Sequence, residues 1–185
     1  PDRRPHHLGQ QVVVIGGGNS AIDSARTAAR FGAQVTVVYR RQRHDMPAIP
    51  DEVEAAEQEG VQFQFMAVPK QIHGSTRSGV KAIEVSLAEM GDYDTYGRRV
   101  PETSNQTRVI NCDSVVVAAG EKVDGDLIRR LGVAIDDRDL VRVDPFTQMT
   151  SSAHVYAGGD VVSGPANVSI AAGSGKLAAG AIDQM

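Results

Sequence analysis

Gly16, Gly18 and Ala21 stand in the spacing G-x-G-x-x-A, and residues of that size in that spacing can hold a pyrophosphate. Gly16 permits a tight turn, and Gly18 lets backbone approach a phosphate with no Cβ in the way. The small Ala21 allows a helix to close on a strand. A helix opening at Asn19 and Ser20 would then aim free N–H groups and partial positive charge at the anion. A purely structural glycine turn has the same appearance, so the flanking elements must decide between the two.

The end of the next strand bears on which dinucleotide is held. An NAD site places Asp or Glu about 20 residues on, where it accepts from the ribose 2′-hydroxyl. This chain has Arg40-Arg41-Gln42-Arg43 there and no carboxylate before Asp45. A guanidinium fork matches a phosphate through two bonds, whereas a carboxylate would repel it. Arg40 and Arg41 therefore point to NADP(H), the plain alternative being a solvated basic loop. Asp23, five residues after Gly18, is either a partner of the helix dipole or a polar contact near the nicotinamide or its acceptor.

A second constellation lies far down the chain, where Val155–Ala157 runs into Gly158-Gly159-Asp160. Asp160, at a strand tip after glycines, can accept from a sugar or polyol hydroxyl, although such a segment can also be a simple turn. Pro165-Ala166-Asn167-Val168 opens a further helix. Its N-terminus at Asn167 and Val168 is suited to stabilising negative charge on a reduced flavin ring. Gly120 and Gly159 complete the candidate cofactor-binding positions. Cys112 reads as a small hydrophobe on a strand, and His44, His73 and His154 share no ligand-like spacing, so neither a catalytic side chain nor a metal site is expected.

These residues need elements to position them. Gln11–Ile15 is a β-branched run suited to a strand covered on both faces, and Asn19–Phe31 reads as an Ala-rich helix closed by Gly32. Gln34–Tyr39 is the next strand, completing one βαβ unit of about 30 residues. Arg40–Pro50 is expected to be loop, Asp51–Glu59 a short acidic helix and Val61–Phe65 a third strand. Lys70–His73, Val80–Met90 and Arg108–Cys112 read as an antiparallel meander with polar turns at Gly74–Gly79 and Gly91–Asn105. Ser114–Ala118 is another apolar strand. Asp126–Leu131 is expected as a helix, Val133–Ile135 with Leu140–Val143 as a hairpin, and Ala166–Ile182 as a long Ala-rich helix. The fold class is thus α/β, a Rossmann-like parallel sheet with an antiparallel meander. The expected division is a linker over 1–10, a nucleotide-binding domain over 11–113 and the C-terminal part of a second, FAD-type domain over 114–185.

Composition is compatible with this and excludes other classes. The 185 residues carry 19 basic and 23 acidic side chains, a net charge of −4, with 41% apolar residues. Such a chain can bury a core, and mild acidity argues against a nucleic-acid binder. No apolar run reaches the roughly 18 residues of a membrane span, and no secretory leader opens the sequence. One cysteine excludes a disulfide framework within these residues, so the default compartment is the cytoplasm. Arg3, Arg4, His6 and His7 read as a solvated tail. The first residue is Pro1, which reads as a piece of a longer protein.

Taken together, VVVIGGGNSAIDSARTAARFGA (12–33), VTVVYRR (35–41), MPAIPDEVEAAEQEGV (46–61), VVVAAG (115–120) and VYAGGDVVSGP (155–165) resemble the small subunit of glutamate synthase. The same module is similar to parts of dihydropyrimidine dehydrogenase and of ferredoxin–NADP transhydrogenases. The resemblance implies that Gly16, Gly18, Asn19, Ala21, Arg40 and Arg41 hold NADPH, while Asp160, Asn167 and Val168 face FAD. It further implies that hydride passes from nicotinamide to flavin and electrons continue to an iron–sulfur or other acceptor domain or subunit. Cofactors would carry the reaction, with little acid–base work for side chains.

Members of that family begin with cysteine-rich iron–sulfur ligands and a first glycine fingerprint for the ADP part of FAD, neither of which occurs here. The expectation is that FAD binds only with a missing N-terminal half. The absence of a CxxC also separates the chain from relatives that pass electrons to a disulfide in the same domain. A different reading is a non-catalytic NADP(H)-binding sensing or assembly domain.

Overall fold

The computed structural model describes residues 8–93 and 99–184; the tail residues Arg3, Arg4, His6 and His7 lie outside them. In chain order the first part contains β1 (Gln11–Ile15), α1 (Asn19–Arg30), β2 (Gln34–Val38), α2 (Pro50–Gln58), β3 (Gln62–Gln64), β4 (Ala67–Ser75), β5 (Gly79–Tyr93), β6 (Arg99–Asn111) and β7 (Ser114–Val117). A single 3-10 turn at Arg43–Asp45 interrupts the loop between β2 and α2.

Strands β3, β2, β1 and β7 form a parallel sheet in that order. Strand pleating sends alternate residues to opposite faces, and the continuous apolar run of β1 uses both. Val12 and Val14 pack with Ala21, Ile22, Ala25 and Ala28 of α1 and with Val53 and Ala56 of α2. Val13 points the other way, into a cluster with Val38, Ala67, Ile83, Val85 and Cys112. The antiparallel sheet β4-β5-β6 thus covers the face that the helices leave open. The α/β class with an appended meander is the observed architecture.

Two expectations change here. Within the polar segment Gly91–Asn105, read as a turn, the described residues 91–93 and 99–105 are strand, while 94–98 lie outside the described residues: Ala88 pairs with Thr103, Glu89 with Glu102, Met90 with Pro101 and Tyr93 with Arg99. Most of β6 is exposed, so its side chains carry no apolar alternation, and backbone pairing alone defines it. The boundary expected after Asp113 also moves. Residues Ser114–Val117 pair in parallel with Val12–Ile15, which places β7 in the first sheet, and the compact units are 1–119 and 120–185.

The second unit is lean in regular structure. It holds α3 (Gly125–Arg130), α4 (Asp160–Ser163) and α5 (Val168–Asp183). The expected hairpin is reduced to an isolated bridge between Ile135 and Val141, and the strand expected at Val155–Ala157 to one between Met149 and Tyr156. Asp136 accounts for the tight first connection: its carboxylate accepts from the amides of Arg138 at 2.8 Å and Leu140 at 2.9 Å. Those bonds hold it below the usual carboxylate range, the Leu140 amide contributing most. Val133, Leu140 and Val141 are buried, as are Gln148 and Thr150.

Candidate dinucleotide site

Strand β1 ends at Ile15 and α1 begins at Asn19, so the whole turn is Gly16-Gly17-Gly18. Gly16 has φ +140°, and a Cβ there would lie 2.2 Å from the carbonyl oxygen of Ala118, just past β7. Only glycine permits that crossing. Ala21 is fully buried beneath it. Gly18 caps α1 in an extended conformation with no side-chain cap, which leaves the first-turn amides without a side-chain acceptor. A Cβ built on Gly18 meets nothing within 4 Å. The turn is therefore crowded on its inner side at Gly16 and open at Gly18, the shape of a cradle for an outside anion.

The neighbouring strand β2 delivers the arginines to the same end of the sheet, because β1 and β2 run parallel with Ile15 opposite Val38. Among the described residues neither Arg40 nor Arg41 has a carboxylate partner, and the Nε of Arg41 is buried with no acceptor. Arg43 differs. Its Nε donates to Glu57 Oε1 at 3.1 Å and its Nη2 to Glu57 Oε2 at 2.8 Å. That fork holds the Glu57 carboxyl below its ordinary value. Asp45, the first acid after the arginines, is also committed: its Oδ2 accepts from the Gln42 amide at 3.2 Å. Of three arginines in the loop, two thus remain open for a phosphate, and the nearest carboxylates are engaged elsewhere. The residues present fit NADP(H).

Asn19 has a role beyond its place at the helix start. Its Oδ1 accepts from the Ile49 amide at 2.9 Å, and the Gly17 carbonyl accepts from the Ala48 amide at 3.1 Å. Tyr39 packs on Gly17, whose Cβ position would fall 2.4 Å from the ring, and its hydroxyl donates to the Asp45 carbonyl at 2.7 Å. Ala48, Ile49 and Glu57 escaped the sequence reading, which took in Tyr39 only through the resemblance carried by VTVVYRR (35–41). An aromatic at a strand end signals packing, and nothing in the local pattern shows which backbone it covers. Ser20 is exposed at the start of α1, and its carbonyl accepts from the Ser24 hydroxyl at 2.7 Å. Asp23 is exposed and stands beyond the first turn, where the helix dipole has faded, so the dipole reading loses its basis.

The remaining candidates belong to the second unit. Gly120 opens it, with φ +94°. The Gly159 amide donates to Ser174 Oγ at 2.7 Å, which ties the glycine pair to α5. Asp160 is the exposed first residue of α4, a short helix that the sequence did not suggest. Asn167 caps α5, its Oδ1 accepting from the Ile170 amide at 3.0 Å, and Val168 beside it is 85% exposed. These groups could meet a polyol and a ring edge, and they provide no second glycine cradle. Cys112 is buried, and burial together with the Asp113 charge pushes its thiol upward, the wrong direction for a nucleophile. Among the described residues no group of three or more His, Cys, Asp or Glu could hold a metal.

Comparison with known proteins identifies the family. The pyridine nucleotide-disulphide oxidoreductase family profile matches residues 2–175. The chain is 39% identical over 185 residues to the NADP(+)-dependent formate dehydrogenase subunit beta of Moorella thermoacetica, covering 99% of this chain and 26% of that one. It is 33% identical over 180 residues to the glutamate synthase [NADPH] small chain of Escherichia coli K12, covering 94% and 38% respectively. Among solved structures, T. acidophilum thioredoxin reductase superposes with a TM-score of 0.76 at 26% identity, over 96% of this chain and 53% of its own. The chain therefore spans well under half of these two curated relatives and about half of the structural one.

Proposed function

The chain belongs to the pyridine nucleotide-disulphide oxidoreductase family, and from that premise we propose that it is the NADPH-binding part of a flavin-dependent oxidoreductase, like the small subunit of glutamate synthase. The observation that carries this reading is the state of the loop arginines. Arg40 and Arg41 have no carboxylate partner among the described residues, while Arg43 is taken up by Glu57. The named relatives include a subunit beta and a small chain that use NADP(H), which supports the same assignment.

In this reading Gly16, Gly18 and the amides of Asn19 and Ser20 grip the pyrophosphate, and Arg40 and Arg41 take the 2′-phosphate. Asp23 offers a carboxylate on the outer face of α1. NADPH supplies a hydride, and FAD accepts it when both are bound. Residues 120–185 are proposed as the C-terminal part of the FAD-binding domain, with Gly120, Gly159, Asp160, Asn167 and Val168 at its cofactor edge. The only glycine fingerprint in these residues serves NADPH, so the ADP part of FAD needs a further segment or a partner. An iron–sulfur or other acceptor domain or subunit then takes the electrons. No helix among the described residues is long and apolar enough to cross a membrane, and a cytoplasmic location is proposed with the rest.

Calorimetry of the full-length protein with NADPH and NADH tests the assignment. A preference for NADPH that Arg40→Ala and Arg41→Ala abolish is expected, and equal affinities would overturn it. A second reading, a non-catalytic sensing or assembly domain, rests on that single glycine fingerprint. It predicts a colourless full-length protein that FAD does not reconstitute.

A further inference from the structure

We infer that Tyr39 and Asn19 are positioning residues that set the choice between NADPH and NADH, by fastening the arginine loop to the glycine turn. The inference rests on the nucleotide assignment above and gives the side chains of Tyr39 and Asn19 a role that needs no contact with the 2′-phosphate.

The loop from Arg40 to Ile49 is long and largely polar, and such a segment left to itself would sample many conformations. Its two ends are instead tied to Gly17 and Asn19 of the glycine turn. At the start, the Tyr39 ring lies on Gly17 so closely that no side chain fits there. The hydroxyl of the same residue reaches across the loop to the Asp45 carbonyl at 2.7 Å. At the far end, Ala48 donates to the Gly17 carbonyl at 3.1 Å, and Ile49 donates to Asn19 Oδ1 at 2.9 Å. The backbone of Tyr39 is fixed in turn, its amide donating to Gln64 at 3.0 Å and its carbonyl accepting from Ala67 at 3.1 Å. Arg40 and Arg41 thus leave a residue that is held from both sides.

Their guanidinium groups meet a phosphate bidentately only within a narrow range of positions. Holding the loop before binding removes an ordering cost that would otherwise fall mainly on NADPH, since NADH carries a neutral 2′-hydroxyl there and no phosphate for the arginines. Losing a tie should accordingly weaken one nucleotide and spare the other. A residue that merely stabilised the fold would move both together.

The test uses the full-length protein with the variants Tyr39→Phe and Asn19→Ala. Tyr39→Phe keeps the ring and removes the hydroxyl that donates to the Asp45 carbonyl. The expected result is a fall of about fivefold in the NADPH-over-NADH affinity ratio in each variant, the size of one neutral hydrogen bond. NADH affinity should stay level in Tyr39→Phe. In Asn19→Asp the acceptor for Ile49 is kept, so the ratio should stay near wild type even if the added charge weakens both nucleotides. An unchanged ratio in Tyr39→Phe, or in Asn19→Ala, removes that residue from the role. If one variant fails to fold, the ratio in the other decides. A wild-type protein without NADPH preference overturns the nucleotide assignment and this inference with it. A wild-type preference that survives both variants overturns the positioning role alone.

Discussion

Arg43 and Glu57 face each other as a complete fork, with both carboxylate oxygens occupied at 3.1 and 2.8 Å. The pair joins the loop after β2 to helix α2 and leaves two of the three arginines for the proposed nucleotide site. Arg41→Ala should weaken NADPH by about 10- to 100-fold, the loss of a charge-assisted bond, while NADH affinity stays level. Arg43→Ala should leave both within about threefold of wild type. Parallel titrations of the two variants check the division.

Gly16 and Gly18 should fail in different ways. Gly16→Ala drives a Cβ into the Ala118 carbonyl at a φ that alanine resists, and should cost roughly 3 kcal/mol of stability. Gly18→Ala meets open space, so its cost is at most about 1 kcal/mol as a poorer cap. Its added methyl group should nonetheless obstruct the pyrophosphate. Thermal melts and NADPH titrations of both proteins would separate the effects.

Glu59 gathers Arg26 and Arg30 at 2.8 and 2.6 Å. The hydrogen bond from Arg26 leads in holding its carboxyl down to about 2. The unfolded chain binds that proton more readily, near pH 4.3. The stabilisation from this site is therefore complete above about pH 5 and drains away as pH falls toward 2. Glu59→Gln should flatten the stability curve across that window and lower it by a constant amount above about pH 5, which denaturant melts at stepped pH would show.

Cys112 is 3% exposed, and desolvation raises its thiol. The thiolate is the reactive form, so iodoacetamide at pH 8 should modify it only at the rate of unfolding. Rapid labelling of the native protein would contradict the burial. Cys112→Ala should leave NADPH binding unchanged.

The first βαβ unit was legible in the sequence because each of its elements has an independent local cause. A β-branched run, three glycines, an Ala-rich face and a second β-branched run fall in the order that the sheet then displays. The first part of β6 was not legible: residues such as Glu102, paired with Glu89, leave polar side chains in solvent and no period to detect. Helix α4 was hidden for a different reason, being four residues whose form depends on Gly159 and Gly164 at positive φ. At the site, the arginines announced themselves by type. The ties of Tyr39 to Asp45 and of Asn19 to Ile49 did not, because backbone acceptors and donors leave no mark in a sequence.

Helix α5 runs sixteen residues with no buried side chain, and Val168, Ile170, Leu177 and Ile182 all stand open. A systematic substitution scan would accordingly split into two maps. Thermal stability should tolerate exchange along nearly the whole helix, while the buried residues of β1 and α1 tolerate almost none. Whatever α5 contributes to the proposed flavin site would then be visible only in an assay of cofactor binding, as intolerance at positions to which stability is indifferent.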